Sequence, residues 1–276
     1  MSEIYGSDAY APREVARRVA EVGVAKARLP FLSLVLLGLL AGAFIGLGAL
    51  GFVLVKSDPT LGFAAAQVLG GVVFSLGLLL VVVAGAELFT GNNLIVMAWA
   101  DGQVSSTELL RNWAVVGLAN LAGAAGLALL VYASGHPSLN GGAVGQTVVK
   151  IALAKQALPW DEALLRGVLC NLLVCMAVWM AMAGRSVVDK AVAIVFPIGA
   201  FVAAGFEHSI ANMYLMPLAW LLQHGGAVPV DGAWVTVAGM LGNWLPVIAG
   251  NLLGGSVLVG LTYHVIYQRG RPAEPK

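Results

Sequence analysis

Long apolar runs constrain this chain more than any other feature of its sequence. Six runs are long enough to cross a bilayer, which takes about 20 apolar residues per helix, and nearly all charged residues lie in short patches between them. The charged fraction is 11%, whereas soluble domains carry about 25%. The sequence therefore predicts an all-α membrane protein, and a net charge of +1 argues against a nucleic-acid partner. The predicted spans are 32–55, 63–100, 113–133, 167–183, 191–222 and 237–263.

The segments around the spans predict the domain boundaries and the orientation. Residues 1–28 are expected to form a cytoplasmic amphipathic segment at the lipid headgroups, with Val15, Val19 and Val22 on one helix face. Residues 29–268 form the transmembrane domain and 269–276 a cytoplasmic tail. With the N-terminus inside, eleven Lys and Arg residues lie on the cytoplasmic side and four on the other, as the positive-inside rule requires. We expect a multi-pass protein of the bacterial cytoplasmic (inner) membrane with both termini in the cytoplasm.

The second and fifth runs are too long to be straight spanning helices. At 1.5 Å per residue they would measure about 57 Å and about 48 Å, against about 30 Å of hydrocarbon. Each contains a polar stretch near its middle, at 87–93 and at 205–209. Irregular backbone at membrane depth persists only where protein or a water-filled cavity satisfies its polar groups. We therefore predict that both helices break at these stretches.

The two breaks match each other in sequence. Each carries a Glu followed five residues later by an Asn, and the next span carries Asn-Trp with a second Asn at the same interval. The matched residues are Glu87, Asn92, Asn112 and Asn120 in the first half and Glu207, Asn212, Asn243 and Asn251 in the second. This shared order predicts an internal duplication, with three spans per unit inserted in opposite directions. The expected architecture is an inverted 3+3 repeat whose broken helices meet near the midplane.

Three ionisable residues lie deep in the spans: Glu87, Glu207 and His208. A charge at mid-bilayer costs about 2.5–3.5 kcal/mol on insertion scales, so such residues usually face the protein interior or a pathway. We interpret the two glutamates as structural, accepting hydrogen bonds from backbone N–H groups freed at the breaks or from Asn120 and Asn251. His208 has no counterpart in the first half, where an apolar residue stands. That asymmetry makes His208 the candidate pathway residue. The two cysteines, Cys170 and Cys175, are expected to be small core residues, and neither a metal site nor a cofactor is predicted.

Several motifs resemble the formate/nitrite transporter family, and the resemblance covers nearly the whole chain. The motifs are 85–92 (GAELFTGN), Lys155, 171–175 (NLLVC), 184–186 (GRS) and 205–213 (GFEHSIANM). The stretch 184–216 looks closest to the formate channels of that family, while 91–93 (GNN) looks more nitrite-like. The resemblance implies an aquaporin-like fold and a homopentamer in the membrane lipid. It also implies that each protomer has its own pore for a small monovalent anion.

Position-for-position matching to the family implies the residues of the pathway. Thr90, Asn171 and His208 look like its polar centre, and Lys155 looks like an outward-facing electrostatic attractor. From the residues alone, Lys155 could equally be a solvated loop lysine. The implied apolar constrictions are Phe74, Leu78, Leu88, Phe89, Val174 and Phe201.

The expected function is formate passage assisted by protonation at the central histidine. Formate is a carboxylate with a pKa of roughly 4, so about one molecule in a thousand is neutral at pH 7. We expect His208 to be neutral in an empty pore and to pass a proton to an arriving anion, with Thr90 and Asn171 fixing the imidazole tautomer. Nitrite or hydrosulfide is the alternative substrate, and proton-coupled transport is the alternative to a channel.

Other classes of membrane protein fit the sequence less well. Ammonium channels typically need paired pore histidines and water channels a twin Asn-Pro-Ala signature, and this chain has neither. A membrane-embedded hydrolase is suggested only by residues 133–136 (ASGH), which lack the first glycine of a rhomboid-type motif. A scaffolding protein would give no reason for His208 to lie beside a helix break. We therefore do not expect an enzyme.

Overall fold

The computed structural model describes residues 9–229 and 232–267. The described part of the chain is predominantly helical and contains no β-strand. Residues 1–8 of the predicted N-terminal segment and the predicted tail at 269–276 lie outside the described residues.

Within the described residues, five helical segments are long and apolar enough to cross a membrane by length and composition. They are Phe31–Lys56, Phe63–Gly85, Ser106–Ala133, Trp160–Ala183 and Val237–Tyr267. The α-helices are α1 (Pro12–Ala27), α2 (Phe31–Lys56), α3 (Phe63–Phe74), α4 (Leu76–Leu79), α5 (Val96–Ala100), α6 (Ser106–Ala133), α7 (Ala143–Gln156), α8 (Trp160–Ala183), α9 (Val187–Ala203), α10 (Ser209–His224), α11 (Val237–Leu252) and α12 (Thr262–Tyr267). Two π-helical segments, Leu80–Gly85 and Leu253–Leu261, continue α4 and α11, and short 3-10 turns cover Gly91–Ile95, His136–Ser138 and Asn140–Gly142.

The predicted breaks in the second and fifth helices are present. The helical segment that begins at Phe63 ends at Gly85, and residues 86–90 are not helical. Helical structure resumes in the 3-10 turn that begins at Gly91. The second break covers 204–208, between α9 and α10. Gly85 (φ 84°) and Gly205 (φ 71°) both adopt the left-handed conformation that glycine allows without steric cost. The fifth predicted span is therefore two helices, of 17 and 16 residues, that are separated by the break.

The third and fourth spanning helices each begin seven residues before the predicted start, at Ser106 and Trp160. Ser105 caps α6, since its hydroxyl accepts the backbone N–H of Glu108 and the Glu108 carboxylate accepts the backbone N–H of Ser105. Pro159 directly precedes α8. Hydropathy identified the apolar part of each helix but not its first two turns, which contain polar residues.

Two helices lie outside the predicted spans, and both correct an expectation. The apolar face of α1 does not lie on lipid headgroups: Val15 and Val19 are buried in a cluster that includes Met97 and Trp179, whereas Val22 is only partly buried. The predicted connection between the third and fourth spans contains α7, so Lys155 lies on a helix and not on a loop.

Close packing of the spanning helices depends on small residues. A β-carbon at Gly123 of α6 would overlap the backbone carbonyl of Leu39 in α2. Glycine at this position lets two backbones approach closely, as is common in membrane helix pairs. Both cysteines are free and fully buried, which confirms them as core residues.

Candidate functional site

His208 is the last residue of the second break and directly precedes α10, with only 3% of the residue exposed. Its Nδ1 atom accepts a hydrogen bond from the backbone N–H of Ala211 at 3.2 Å, so the imidazole caps the helix. Its Nε2 atom lies 3.0 Å from the hydroxyl oxygen of Thr90, which belongs to the first break. Because Nδ1 acts as an acceptor, a neutral ring carries its proton on Nε2 and donates it to Thr90. The hydroxyl proton of Thr90 is then left to donate elsewhere.

Asn171 of α8 binds the first break and α11 and does not fix the imidazole. Its side-chain nitrogen lies 2.7 Å from the carbonyl oxygen of Asn251, 2.8 Å from the side-chain oxygen of Asn93 and 3.2 Å from the carbonyl oxygen of Thr90, so its two hydrogens are shared among three acceptors. The prediction that Asn171 sets the tautomer of His208 is therefore wrong. The backbone N–H of Ala211 sets it.

The carboxylate of Glu87 is buried and fully engaged beside the first break. Lys26 of α1 donates to one oxygen at 2.6 Å, and the side chain of Asn92 donates to the other at 2.7 Å. Asn112 accepts from Asn92 at 2.9 Å and donates to the main-chain carbonyl of Lys26 at 3.1 Å. These contacts fasten α1 to the break and to α6.

The second break carries the same arrangement. Lys155 of α7 donates to one oxygen of Glu207 at 2.7 Å, and Asn212 donates to the other at 2.6 Å. Asn243 accepts from Asn212 at 2.8 Å and donates to the carbonyl of Lys155 at 3.0 Å. In each half, a lysine on a helix outside the predicted spans therefore compensates the buried carboxylate.

Asn120 and Asn251 bind the backbone of the breaks and not the glutamate side chains, which corrects the predicted pairing. The NH₂ group of Asn120 donates to the main-chain carbonyl of Glu87 at 2.9 Å, and its oxygen accepts the backbone N–H two residues later at 2.9 Å. Asn251 makes the same two contacts around Glu207, each at 3.0 Å. These bonds satisfy polar backbone groups that the interrupted helices leave free.

Two cavities approach the breaks from opposite ends of α2. The first, of about 480 Å³, we name the Lys26 vestibule; its lining includes Lys26, Leu37, Leu78, Glu87, Leu88 and Lys190. The second, of about 330 Å³, we name the Lys155 vestibule; its lining includes Lys56, Phe74, Lys155, Phe201, Glu207 and His208. Leu37 and Lys56, one in each lining, are about 28 Å apart along α2 at 1.5 Å per residue.

Apolar side chains separate the two vestibules. Phe74 lines the Lys155 vestibule and Leu78, one helical turn later, lines the Lys26 vestibule together with Leu88. The Phe74 ring meets the Phe201 ring edge to face at 5.7 Å, and Phe201 stacks on His208 at 5.9 Å between ring centroids. The barrier is therefore made of hydrocarbon except at the histidine.

Two predicted constriction residues have other surroundings. Phe89 is buried, and a β-carbon placed on Gly117 of α6 would lie 3.5 Å from its ring, so Phe89 packs towards that helix. Val174 is also buried. Neither residue lines one of the two vestibules.

Both vestibules carry more positive than negative charge. The Lys26 vestibule has three cationic residues and one acidic residue in its lining: Arg18, Lys26, Lys190 and Glu87. The Lys155 vestibule has the same surplus: Lys56, Lys155, Arg166 and Glu207. Clefts lined by one sign of charge concentrate the opposite ion. The arrangement suits a small anion that approaches from either end.

A family model described as formate/nitrite transporter matches residues 13–265. The chain belongs to the formate/nitrite transporter family. It is 40% identical over 273 residues to the formate channel FocA of Escherichia coli K12, covering 95% of this chain and 96% of that one. It is 36% identical to a probable formate transporter of Methanothermobacter thermautotrophicus, covering 95% and 98% of the two chains. A solved structure described as a pentameric formate channel with formate bound superimposes with a TM-score of 0.80 at 36% identity, covering 86% of this chain and 97% of that one. These relatives are named as channels or transporters, and none as an enzyme.

Membership of the formate/nitrite transporter family confirms the predicted resemblance, and one of the motifs behind it is a helix cap. In the 184–186 motif, the hydroxyl of Ser186 accepts the backbone N–H of Asp189, and the Asp189 carboxylate accepts the backbone N–H groups of Arg185 and Ser186. These hydrogen bonds hold the pKa of Asp189 below its ordinary value. A β-carbon at Gly184 would lie 2.8 Å from the β-carbon of Asp189, so this position favours glycine.

Three site residues of this family member were missed from the sequence. Lys26 precedes the first apolar run and was counted only as a cytoplasmic charge. Asn93 accepts from Asn171, and the thiol of Cys175 lies 3.4 Å from the Thr90 carbonyl. The order of the elements could have identified Lys26, because α1 precedes α2 as α7 precedes α8. Extending the predicted duplication to α1 and α7 pairs Lys26 with Lys155.

Proposed function

We propose that this protein is a homopentameric formate channel of the bacterial inner membrane and that each protomer conducts the anion between its two vestibules. The observation that carries the proposal is the 3.0 Å contact between Thr90 and His208. His208 lines the Lys155 vestibule beside the apolar side chains that separate the two cationic cavities, and Thr90 lies buried behind it. Relatives named as formate channels, one of them a solved pentamer with formate bound, support the substrate and the assembly. They do not favour nitrite as the main substrate.

The orientation is part of the proposal. The positive-inside rule puts the Lys26 vestibule at the cytoplasm and the Lys155 vestibule at the outer face. The two Lys–Glu–Asn–Asn networks, built by elements in the same order in each half, support an inverted repeat. Both termini then lie in the cytoplasm.

The barrier between the vestibules selects against hydrated ions. An anion that crosses hydrocarbon without a partner loses solvation worth tens of kcal/mol in the Born limit. Phe74 and Phe201 on one side and Leu78 and Leu88 on the other strip water from the permeating species. The positive partial charge at the start of α10 favours the anion where water is lost.

Thr90 and His208 then supply the polar partner. The Nε2–H of the neutral ring donates to Thr90, and the Thr90 hydroxyl donates to the carboxylate of formate. Full protonation of formate needs a charged ring: Nδ1 takes a proton from hydronium in the vestibule, and the Nε2 proton passes through the Thr90 hydroxyl to formate, which leaves a neutral ring protonated on Nδ1. The starting tautomer is restored when the formic acid ionises and returns a proton through the Thr90 hydroxyl to Nε2, and Nδ1 releases its proton to water. A proton on Nδ1 breaks the hydrogen bond from the backbone N–H of Ala211, which favours release of that proton and return to the starting tautomer.

Flux measurements with purified protein in liposomes test this function. Formate, nitrite and hydrosulfide are each added at two pH values, with and without a proton gradient, and protein-free liposomes give the background. We expect formate flux well above background and greater than nitrite flux, from a protein that migrates as a pentamer in a native gel. Flux that requires the gradient would indicate proton-coupled transport in place of a channel. Background flux of formate from intact pentamers would contradict the proposal.

A further inference from the structure

We propose that Lys56, oriented by Gln67, is the residue that draws anions into the Lys155 vestibule, and that Lys155 acts only at short range. The inference rests on the proposed function, because it assumes that anions enter through this vestibule. It separates long-range attraction from local binding and assigns each to a different lysine.

Lys155 contributes little to the distant field because its charge is cancelled. Its ammonium lies 2.7 Å from the carboxylate of Glu207, and the two side chains are 16% and 5% exposed. Seen from the mouth of the vestibule, the pair has no net charge and acts as a dipole. Arg166, the third cation of the lining, is paired with Glu162 at 2.8 Å. Two of the three cations therefore have a carboxylate partner.

Lys56 is held by a neutral group and keeps its full charge. Its ammonium donates to the side-chain oxygen of Gln67 at 2.8 Å. The NH₂ group of Gln67 donates to the main-chain carbonyl of Ala203 at 3.0 Å, which turns the amide oxygen towards the lysine. Both residues line the vestibule. The ring of Phe63, 5.7 Å from the ammonium, adds a second neutral contact. The side chain is thus fixed at the vestibule without being neutralised.

A purely structural role for Lys56 is the alternative. It is the last residue of α2, where a cation interacts favourably with the helix dipole and can stabilise the helix end. This role would make the residue matter for stability at any ionic strength. Attraction of a distant anion is instead screened by salt, with a Debye length of about 10 Å at 0.1 M and about 3 Å at 1 M. Salt dependence therefore distinguishes the two roles.

The other mouth is built differently. Arg185 follows Lys155 at the interval at which Lys56 follows Lys26. Its guanidinium lies over the ring of Tyr10, 4.2 Å from the centroid, and it is not part of the lining of the Lys26 vestibule. Substitution of Lys56 should consequently affect entry from one side of the membrane only.

Two variants remove the attraction in different ways. Lys56→Gln deletes the charge, whereas Gln67→Glu leaves Lys56 in place and gives it a carboxylate partner like that of Lys155. Lys56→Arg keeps the charge and is the matched control. Initial formate uptake is measured against concentration in right-side-out and inside-out vesicles, at low and high salt, after the pentamer has been checked by native gel.

We expect both charge-removing variants to raise the apparent KM for entry at the Lys155 vestibule about threefold to tenfold at low salt. The maximal rate, entry from the opposite side and the behaviour of Lys56→Arg should stay near wild type, and the difference should shrink at high salt. An unchanged KM at low salt in Lys56→Gln and in Gln67→Glu would overturn the inference, as would an effect equal at both salt concentrations. If the wild-type protein conducts no formate, the proposed function itself fails, which is a distinct outcome.

Discussion

The Nε2 atom of His208 lies 3.0 Å from the hydroxyl oxygen of Thr90, so one side-chain contact joins the two interrupted helices of the protein. Neither residue has a counterpart in the other half, since Leu88 stands at the position that matches His208 and Ile210 at the position that matches Thr90. The two halves of the sequence therefore differ at the residues that make this contact.

Removal of the Thr90 hydroxyl should reduce formate flux. Thr90→Val keeps the shape of the side chain but leaves the buried Nε2–H without an acceptor and the anion without a donor. An unsatisfied buried polar group costs about 1–3 kcal/mol, so flux should fall about tenfold to a hundredfold. Thr90→Ser, which keeps the hydroxyl, should retain most of the flux. Stopped-flow efflux from proteoliposomes measures both, and equal flux in the two variants would contradict the assigned role.

The Lys155–Glu207 pair should matter for stability more than for attraction. Lys155→Gln leaves a buried carboxylate uncompensated, at a cost of about 3–5 kcal/mol. The double variant Lys155→Gln/Glu207→Gln removes both charges and should recover much of the loss. Thermal unfolding of the detergent-solubilised protein checks this order. A double variant no more stable than the single variant would show that the charge is not the cause.

A uniform loss of formate uptake across ionic strength is expected for Lys155→Gln, because its charge is cancelled within the pair. Initial uptake is compared at low and high salt, with Lys56→Gln measured alongside. A loss for Lys155→Gln that disappears at high salt would restore Lys155 as the long-range attractor predicted from the sequence.

Glycine packing between α2 and α6 gives a prediction with a control in the same helix. Gly123→Ala places a methyl group against the backbone of Leu39, so the helices must separate and thermal stability should fall by about 1–3 kcal/mol. Nothing lies within 4 Å of a β-carbon at Gly126, and Gly126→Ala should leave stability near wild type or slightly raised. Similar unfolding temperatures for the two variants would argue against this packing.

Acid should weaken the cap at the start of α9. Backbone and hydroxyl hydrogen bonds from Ser186 and the backbone N–H of Arg185 hold the pKa of Asp189 below its ordinary value. The folded pKa is the lower one, so the carboxylate stabilises the fold above its unfolded pKa of about 3.9 and this contribution is lost as pH falls through the folded pKa. The stability difference between wild type and Asp189→Asn should be constant from pH 5 to 7 and shrink below about pH 4. A difference that grows on acidification would contradict the assignment.

Run length and polar interruptions were enough to predict the membrane helices and their two breaks. The rise per residue of a helix and the thickness of the bilayer are both known. The sequence alone therefore shows that an apolar run as long as 63–100 cannot be one straight spanning helix. The polar starts of α6 and α8 lay outside that reasoning, because capping by Ser105 and a preceding proline decide where those helices begin.

The partners of the buried polar groups could not be predicted in the same way. Asn171, Asn120 and Asn251 were correctly expected near the breaks, yet an amide can bind side chain or backbone, and only the tertiary path of the chain decides which. Leu88 and Phe89 lie in backbone that is not helical, so no 3.6-residue period predicts which of the two side chains faces a cavity. Lys26 was missed because the predicted repeat was taken to begin at the first apolar run, which starts after this residue.

Formate efflux from proteoliposomes containing His208→Ala, followed between pH 5 and pH 8, tests the central claim most directly. His136→Ala, a histidine in the 3-10 turn after α6 and outside both vestibule linings, is the matched control. We predict that His208→Ala lowers the flux and abolishes its dependence on pH, while His136→Ala behaves as wild type. Unchanged flux with an unchanged pH profile in His208→Ala would contradict passage of the anion at this histidine.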